Sequence, residues 1–179
     1  MHRSKLAFQI SEVSRLRGEF RLRSGVTATE YFDKYQFESR PELLAAIADA
    51  LASMIPARTD ALAGLELGGI PIATALSLRT GVPLRFVRKR AKEYGTCRLA
   101  EGGEIEGLRL IIVEDVVTSG GQVLESCEEL RRLGAIVDQV ICVIDRESGG
   151  REALAAHGLA LRPLFGRSEL AEPSTSPAA

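Results

Sequence analysis

The chain has 179 residues, 45% of them hydrophobic, which suffices for one domain with a substantial core and is short for two. Its 23 basic and 24 acidic residues leave a formal net charge of -1, which excludes long-range attraction to nucleic acid or an anionic membrane and makes any anion site a local one. Three cysteines (Cys97, Cys127, Cys142), without Cys-x-x-Cys spacing, argue against a disulfide framework or a structural zinc and fit a reducing cytoplasm.

At the N-terminus Leu6, Ile10, Val13 and Leu16 stand at helical spacing and predict an amphipathic helix over residues 4–17. Charges interrupt this segment every few positions, and no apolar run approaches the roughly 20 residues that span a bilayer, so neither export nor membrane insertion is expected. "GEFRLRSG" and "TEYFDKYQF" alternate like short strands. "RPELLAAIADALASMI" reads as a helix, with Pro41 near its start and Leu43, Leu44, Ile47, Leu51 and Ile55 as its apolar stripe. Short apolar runs then alternate with helical segments: "ALAGLE", "IPIATALSLRTG", "PLRFVRK", "LRLIIVED", "SGGQVLESCEELRRLG", "AIVDQVICVIDR", "GREALAAHG" and "LALRPLF". This rhythm, with nearly continuous Val/Ile/Leu strands, implies an α/β doubly wound, mostly parallel sheet covered by helices on both faces. One domain over residues 1–168 is expected, with a small N-terminal hood (about 1–36), a flexible basic loop (about 89–106) and a disordered tail over 169–179.

The stretch between Arg88 and Arg109 breaks the rhythm. It is roughly twenty residues long without a clear buried face, and loops of that length in compact domains usually carry function. Its first half holds Arg88, Lys89, Arg90, Lys92 and Arg98 against Glu93 alone.

The most informative stretch is "RLIIVEDVVTSGGQVLES", residues 109–126. Four aliphatic residues run into Glu114 and Asp115, and then into a hydroxyl- and glycine-rich turn that opens a helix. Doubly wound sheets bind ligands outside the carboxyl ends of their strands. Carboxylates there accept hydrogen bonds from vicinal hydroxyls, while the free N–H groups of "TSGG" and the positive end of the helix dipole suit a phosphate. The constellation describes a cradle for ribose 5-phosphate. No Gly-Lys-Ser/Thr follows the glycines and the G-x-G-x-x-G spacing is missing, which excludes a Walker site and a dinucleotide fingerprint.

"LIIVEDVVTSGG" resembles the phosphoribosyl diphosphate (PRPP) signature of type I phosphoribosyltransferases. "FRLRSG" followed by "YFD", then "GGIPIATAL", "FVRKRAKEYGT" and "VIDRESGG", resemble in that order the segments of orotate phosphoribosyltransferases, from about Phe20 to Leu164. The resemblance implies transfer of the phosphoribosyl group from PRPP to orotate, giving orotidine 5-monophosphate and pyrophosphate in pyrimidine synthesis. It implies Mg2+ held mainly by PRPP, a cytoplasmic enzyme, and a homodimer whose basic loop is shared across subunits, with no nucleic acid or membrane partner. By motif, Glu114 and Asp115 would meet the ribose hydroxyls, and the backbone of Val116, Val117, Thr118, Ser119, Gly120 and Gly121 the 5-phosphate, with Gln122 also substrate-binding. Thr118 and Arg146 would meet orotate, with Tyr31 and Phe32 walling the base pocket. Gly64, Gly68 and Gly69 would form the pyrophosphate loop, and Arg88, Lys89 and Lys92 the loop that closes over it; Lys89, Lys92 and Asp115 are the expected catalytic residues. Three positions depart from the usual pattern: Arg23 and Gly68 stand where many relatives carry lysine, and Tyr94 where histidine is usual. The alternatives are transfer to another nucleobase, or a PRPP-sensing regulator of the same fold that binds nucleic acid. His2 and His157 lie in no motif.

Overall fold

The computed structural model describes residues 1–21, 25–91 and 98–171. Its N-terminal helix α1 (Arg3–Ser14) buries Leu6 and Ile10 and ends two residues before Leu16, which enters strand β1 (Arg15–Arg21). β1 pairs antiparallel with β2 (Thr27–Phe32), a two-stranded hairpin separate from the main sheet. The strand expected to run on through "DKYQF" stops at Phe32. Asp33 turns the chain there: one of its carboxylate oxygens accepts the Tyr35 N–H at 3.1 Å and the other the Gln36 side-chain amide at 2.9 Å. Such side-chain caps favour helix over strand, and α2 (Tyr35–Glu38) follows. In α3 (Pro41–Ala52) proline occupies the first turn, where its missing N–H costs nothing, and Leu43, Ile47 and Leu51 are buried along one stripe.

The remaining chain alternates as expected: β3 (Ala61–Leu65), α4 (Gly69–Thr80), β4 (Leu84–Val87), β5 (Ala100–Glu101), β6 (Arg109–Val117), α5 (Gly121–Arg132), β7 (Ile136–Asp145), α6 (Gly150–Ala156) and β8 (Ala160–Gly166). The sheet order is β5-β4-β3-β6-β7-β8, all neighbours parallel except the edge pair β4 and β5. Successive residues of a central strand serve opposite cores, which explains its unbroken aliphatic run. Ile111 and Val113 of β6 join α1, α3 and α4 on one face; Leu110 and Ile112 join Val123, Cys127 and Leu130 of α5 and Leu154 of α6 on the other. Each such side chain contributes about 1.5–3 kcal/mol on burial.

The second half of the expected flexible loop does have a buried side. β5 forms the edge of the sheet beside β4, and Leu99, Ala100 and Ile105 sink into the α5–α6 core. The chain also remains ordered past residue 168: α7 (Arg167–Ala171) buries Leu170, and the Glu169 carboxylate accepts the Gly166 N–H at 2.7 Å. Leu170, the last large apolar residue, is what holds this turn down. Among the described residues no helix is long and apolar enough to cross a membrane.

Candidate functional site

The site forms where β3, β6 and β7 end side by side. Val117 pairs with Asp145 at the last rung, and the Arg146 N–H donates to the Val117 carbonyl at 2.8 Å. Gly150 brings the two following turns together, because a Cβ there would lie 2.4 Å from the Thr118 carbonyl oxygen. "TSGG" and "RESGG", thirty residues apart in sequence, therefore share one rim. Thr118, Ser119, Gly121 and Gln122 are exposed, while Val116 is half-buried and Val117 and Gly120 are buried. The twelve-residue helix α5 opens at this rim without a side-chain cap, which leaves its first N–H groups available to an anion.

Under the rim the two acids are covered. Glu114 is 8% exposed and Asp115 0%. The Asp115 Oδ1 accepts the Val116 N–H at 2.5 Å, and the Lys34 ammonium lies 2.5 Å from its Oδ2. Glu38, one turn along α2 from Lys34, is 6% exposed. Burial raises the Glu38 carboxyl to about 9, helped by the neighbouring Asp115. Burial likewise pushes Glu114 well above the usual carboxylate range. Burial alone would raise Asp115 too, but hydrogen bonds from Glu114, Glu38 and Lys34 outweigh it and hold Asp115 low. Burial opposes the charge on Lys34, yet Asp115 raises it above its ordinary value. At neutral pH the cluster therefore holds one ion pair beside a protonated Glu38, with burial favouring the neutral form of Glu114, an arrangement of low net charge that a buried site tolerates.

Lys34 and Glu38 have no counterpart in the motif reading. The signal available was "DKYQFE" itself: an Asp cap followed by a Lys–Glu pair at helical i,i+4 spacing, which puts both side chains on one face.

Arg146, Tyr31 and Phe32 line one cleft of about 340 Å³, together with Arg15, Arg167 and Leu170. The Tyr31 ring is 45% exposed and stacks on Phe20 with ring centroids 5.5 Å apart. Among the described residues Arg146 makes no ion pair; the neighbouring Glu147 carboxylate is taken by the Ser168 N–H and hydroxyl, both at 2.9 Å. An unpaired guanidinium beside aromatic walls suits a planar anion.

On the other side, Gly68 and Gly69 form the turn into α4. The Glu66 carboxylate accepts the Lys89 N–H at 2.8 Å, tying the start of the basic loop to this turn. Arg88 faces Glu101 at 3.7 Å and Lys89 is exposed. Gly68 has no room for a side chain: a Cβ would lie 1.5 Å from Asp115 Oδ2. Arg23, Lys92 and Tyr94 lie outside the described residues.

Residues 35–156 match the family model of the phosphoribosyl transferase domain. The orotate phosphoribosyltransferase of Nocardioides sp. is 53% identical over 165 residues, covering 92% of each chain. A crystal structure of Mycobacterium tuberculosis orotate phosphoribosyltransferase superposes with a TM-score of 0.86 at 33% identity, over 95% of this chain and 99% of that one. The same enzyme in complex with PRPP gives 0.81 at 30% identity, over 95% and 99%. With the strand-end acids, the glycine-rich turn and the arginine-lined cleft, these likenesses identify the chain as a member of the phosphoribosyltransferase family, on its orotate phosphoribosyltransferase branch.

Proposed function

We propose that the chain transfers the 5-phosphoribosyl group from PRPP to orotate, releasing pyrophosphate and forming orotidine 5-monophosphate. The observation that carries this reading is the convergence on one rim of Glu114 and Asp115, the open N-terminus of α5 and Arg146, which has no ion pair among the described residues. Ionised Asp115 accepts a ribose hydroxyl, and Glu114 takes the neighbouring one. The backbone from Val116 to Gln122 takes the 5-phosphate. Arg146 holds the orotate carboxylate between Tyr31 and Phe32, with Thr118 at the base edge. These contacts fix the anomeric carbon against the base nitrogen, and such positioning supplies much of a barrier reduction without a covalent intermediate. As the bond to pyrophosphate breaks, positive charge builds on the ribose next to the ionised Asp115. Negative charge builds on the leaving group beside Gly68, Gly69, Arg88 and Lys89, with Arg23, Lys92 and Tyr94 proposed to complete the enclosure.

Magnesium fits this arrangement as a companion of the substrate. Asp115 rests against Lys34, Glu38 keeps its proton and burial favours the neutral form of Glu114, so the carboxylates face one another instead of forming an open cage. Held mainly by the substrate, the ion would supply charge neutralisation on the leaving group. We also propose a cytoplasmic homodimer in which the basic loop of one subunit reaches the site of the other.

The test is an assay of the purified protein with PRPP, magnesium and a panel of bases. Turnover with orotate and not with adenine, guanine, hypoxanthine or uracil is expected; turnover with a purine alone overturns the substrate assignment. For the shared site, inactive Lys92→Ala and Asp115→Asn chains are co-refolded. Random exchange makes half the dimers mixed, with one intact site in each, so about a quarter of wild-type activity returns. No recovery despite demonstrated exchange shows that each chain closes its own loop.

A further inference from the structure

The cluster under the rim contains a cation that the proposed reaction has not yet used. Lys34 Nζ is 2.5 Å from Asp115 Oδ2, yet that oxygen accepts no well-formed hydrogen bond and Asp115 is wholly buried. An ammonium has three donors; besides Asp115 it faces Glu114 and Glu38 of the same cluster and the Tyr35 ring, 5.3 Å away. The Lys34 side chain remains 33% exposed. It therefore reaches solvent with hydrogen-bonding capacity to spare, unlike a cation sealed into a purely structural pair.

Where that capacity points follows from Gly68. The 2.5 Å contact from Lys34 to Asp115 Oδ2 and the 1.5 Å from that oxygen to the Cβ position of Gly68 meet at one atom, so the ammonium lies within about 4 Å of where a side chain on Gly68 would begin. Gly68 and Gly69 open α4, a twelve-residue helix without a side-chain cap. Helix N–H groups, a missing side chain and an ammonium thus converge at one place, beside the Lys89 backbone tied down by Glu66. A helix N-terminus and an ammonium around a bare backbone turn match an anion with several charges and oxygens spread over a few ångströms.

We propose that Lys34 is a diphosphate-binding residue: its ammonium rests on Asp115 until substrate arrives, then turns to the diphosphate at the Gly68–Gly69 turn as the ribose hydroxyls take its place on Asp115. This rests on the reading of the site as a PRPP cradle. It gives the site a cation stored on the carboxylate that it must vacate, so that sugar binding and diphosphate binding promote each other.

The experiment uses calorimetric titration of the purified protein with two fragments, inorganic pyrophosphate with magnesium and ribose 5-phosphate. In Lys34→Met, pyrophosphate affinity is expected to fall about 10- to 100-fold, the size of one charge-assisted contact. Ribose 5-phosphate affinity is expected to hold within about threefold or to improve, since nothing now competes for Asp115. Lys34→Arg keeps the charge and should retain pyrophosphate affinity within about fivefold. Should Lys34→Met fail to fold, Lys34→Gln, whose amide still donates to Asp115, carries the same comparison. Pyrophosphate affinity unchanged within twofold, or both affinities falling together with the melting temperature, overturns the proposal. Wild-type protein that binds neither fragment would instead sink the cradle reading itself.

Discussion

The end of β6 and the short segment Asp33–Glu38 both supply acids to the same site, and they do so by opposite means. At the end of β6 the acids, the turn and the helix that follows are contiguous, and the buried strand fixes their geometry. Lys34 and Glu38 come from the N-terminal hood, roughly eighty residues earlier, and reach Asp115 only because Asp33 caps a four-residue helix. The contiguous half carries the sugar and 5-phosphate contacts, whereas the distant half sets their charge and lends Lys34 to the diphosphate. On this division, substitutions at the sheet end should remove chemistry and leave folding intact, and substitution of Glu38 should move pH dependence and stability.

Asp115→Asn is the severest test of the sheet end. It preserves shape and removes the one carboxylate held ionised in the cluster. Turnover should fall about 10²- to 10³-fold, the range found when one preorganised electrostatic contact is lost. Far-UV circular dichroism should be unchanged, with melting lowered by a few degrees because Lys34 loses its partner. Near-normal kcat with PRPP would break the division at its strongest point.

Arg146→Ala comes next. Loss of a bidentate, charge-assisted contact costs about 2–4 kcal/mol, roughly 30- to 800-fold in the KM for orotate, while the KM for PRPP should move little. Equal rises in both would make Arg146 a scaffold residue of the rim.

How far the sequence reaches follows the same line. The alternation of apolar runs and helical segments gave the parallel sheet, because strands buried on both faces must be continuously aliphatic, as Leu110 to Val113 are. Glu114, Asp115 and the "TSGG" turn were readable together because their chemistry lies within one window. Lys34 and Glu38 were not, since "TEYFDKYQF" alternates well enough to pass for a strand and the Asp33 cap that interrupts it was unread. Gly68 stood out as a departure from the usual lysine, yet its physical reason lies across the sheet in the Asp115 carboxylate. Leu99 and Ile105 were hidden by the charges around them, and Leu170 by the polar tail that follows it.

Gly68→Ala probes the junction between the two regions. The new methyl would lie 1.5 Å from Asp115 Oδ2, so the carboxylate or the turn must move. Overpacking of this kind costs about 1–3 kcal/mol, and displacing Asp115 should lower kcat/KM for PRPP by about tenfold or more. A variant with wild-type kinetics and melting would show that Asp115 has a second, equally good position.

Glu38→Gln should have the smallest effect on turnover and the clearest effect on pH dependence. In the folded protein Glu38 keeps its proton up to about pH 9, whereas in the unfolded chain it loses it near the ordinary value of 4.5. A raised carboxyl contributes stability that is fully present below the unfolded value and is lost as pH rises through the folded one. Between those limits the unfolded chain binds fewer protons, so stability declines with rising pH by up to about 1.4 kcal/mol per unit from this group. Glutamine cannot titrate and keeps a donor for Asp115. Urea unfolding at pH 6, 7, 8 and 9 should therefore show wild-type stability falling more steeply than that of Glu38→Gln, with Glu114 accounting for a slope common to both. The stability difference should shift in favour of the variant as pH rises. Parallel profiles over this range would mean that Glu38 is ionised in the folded protein, and the cluster would then carry a negative charge that the hood does not neutralise.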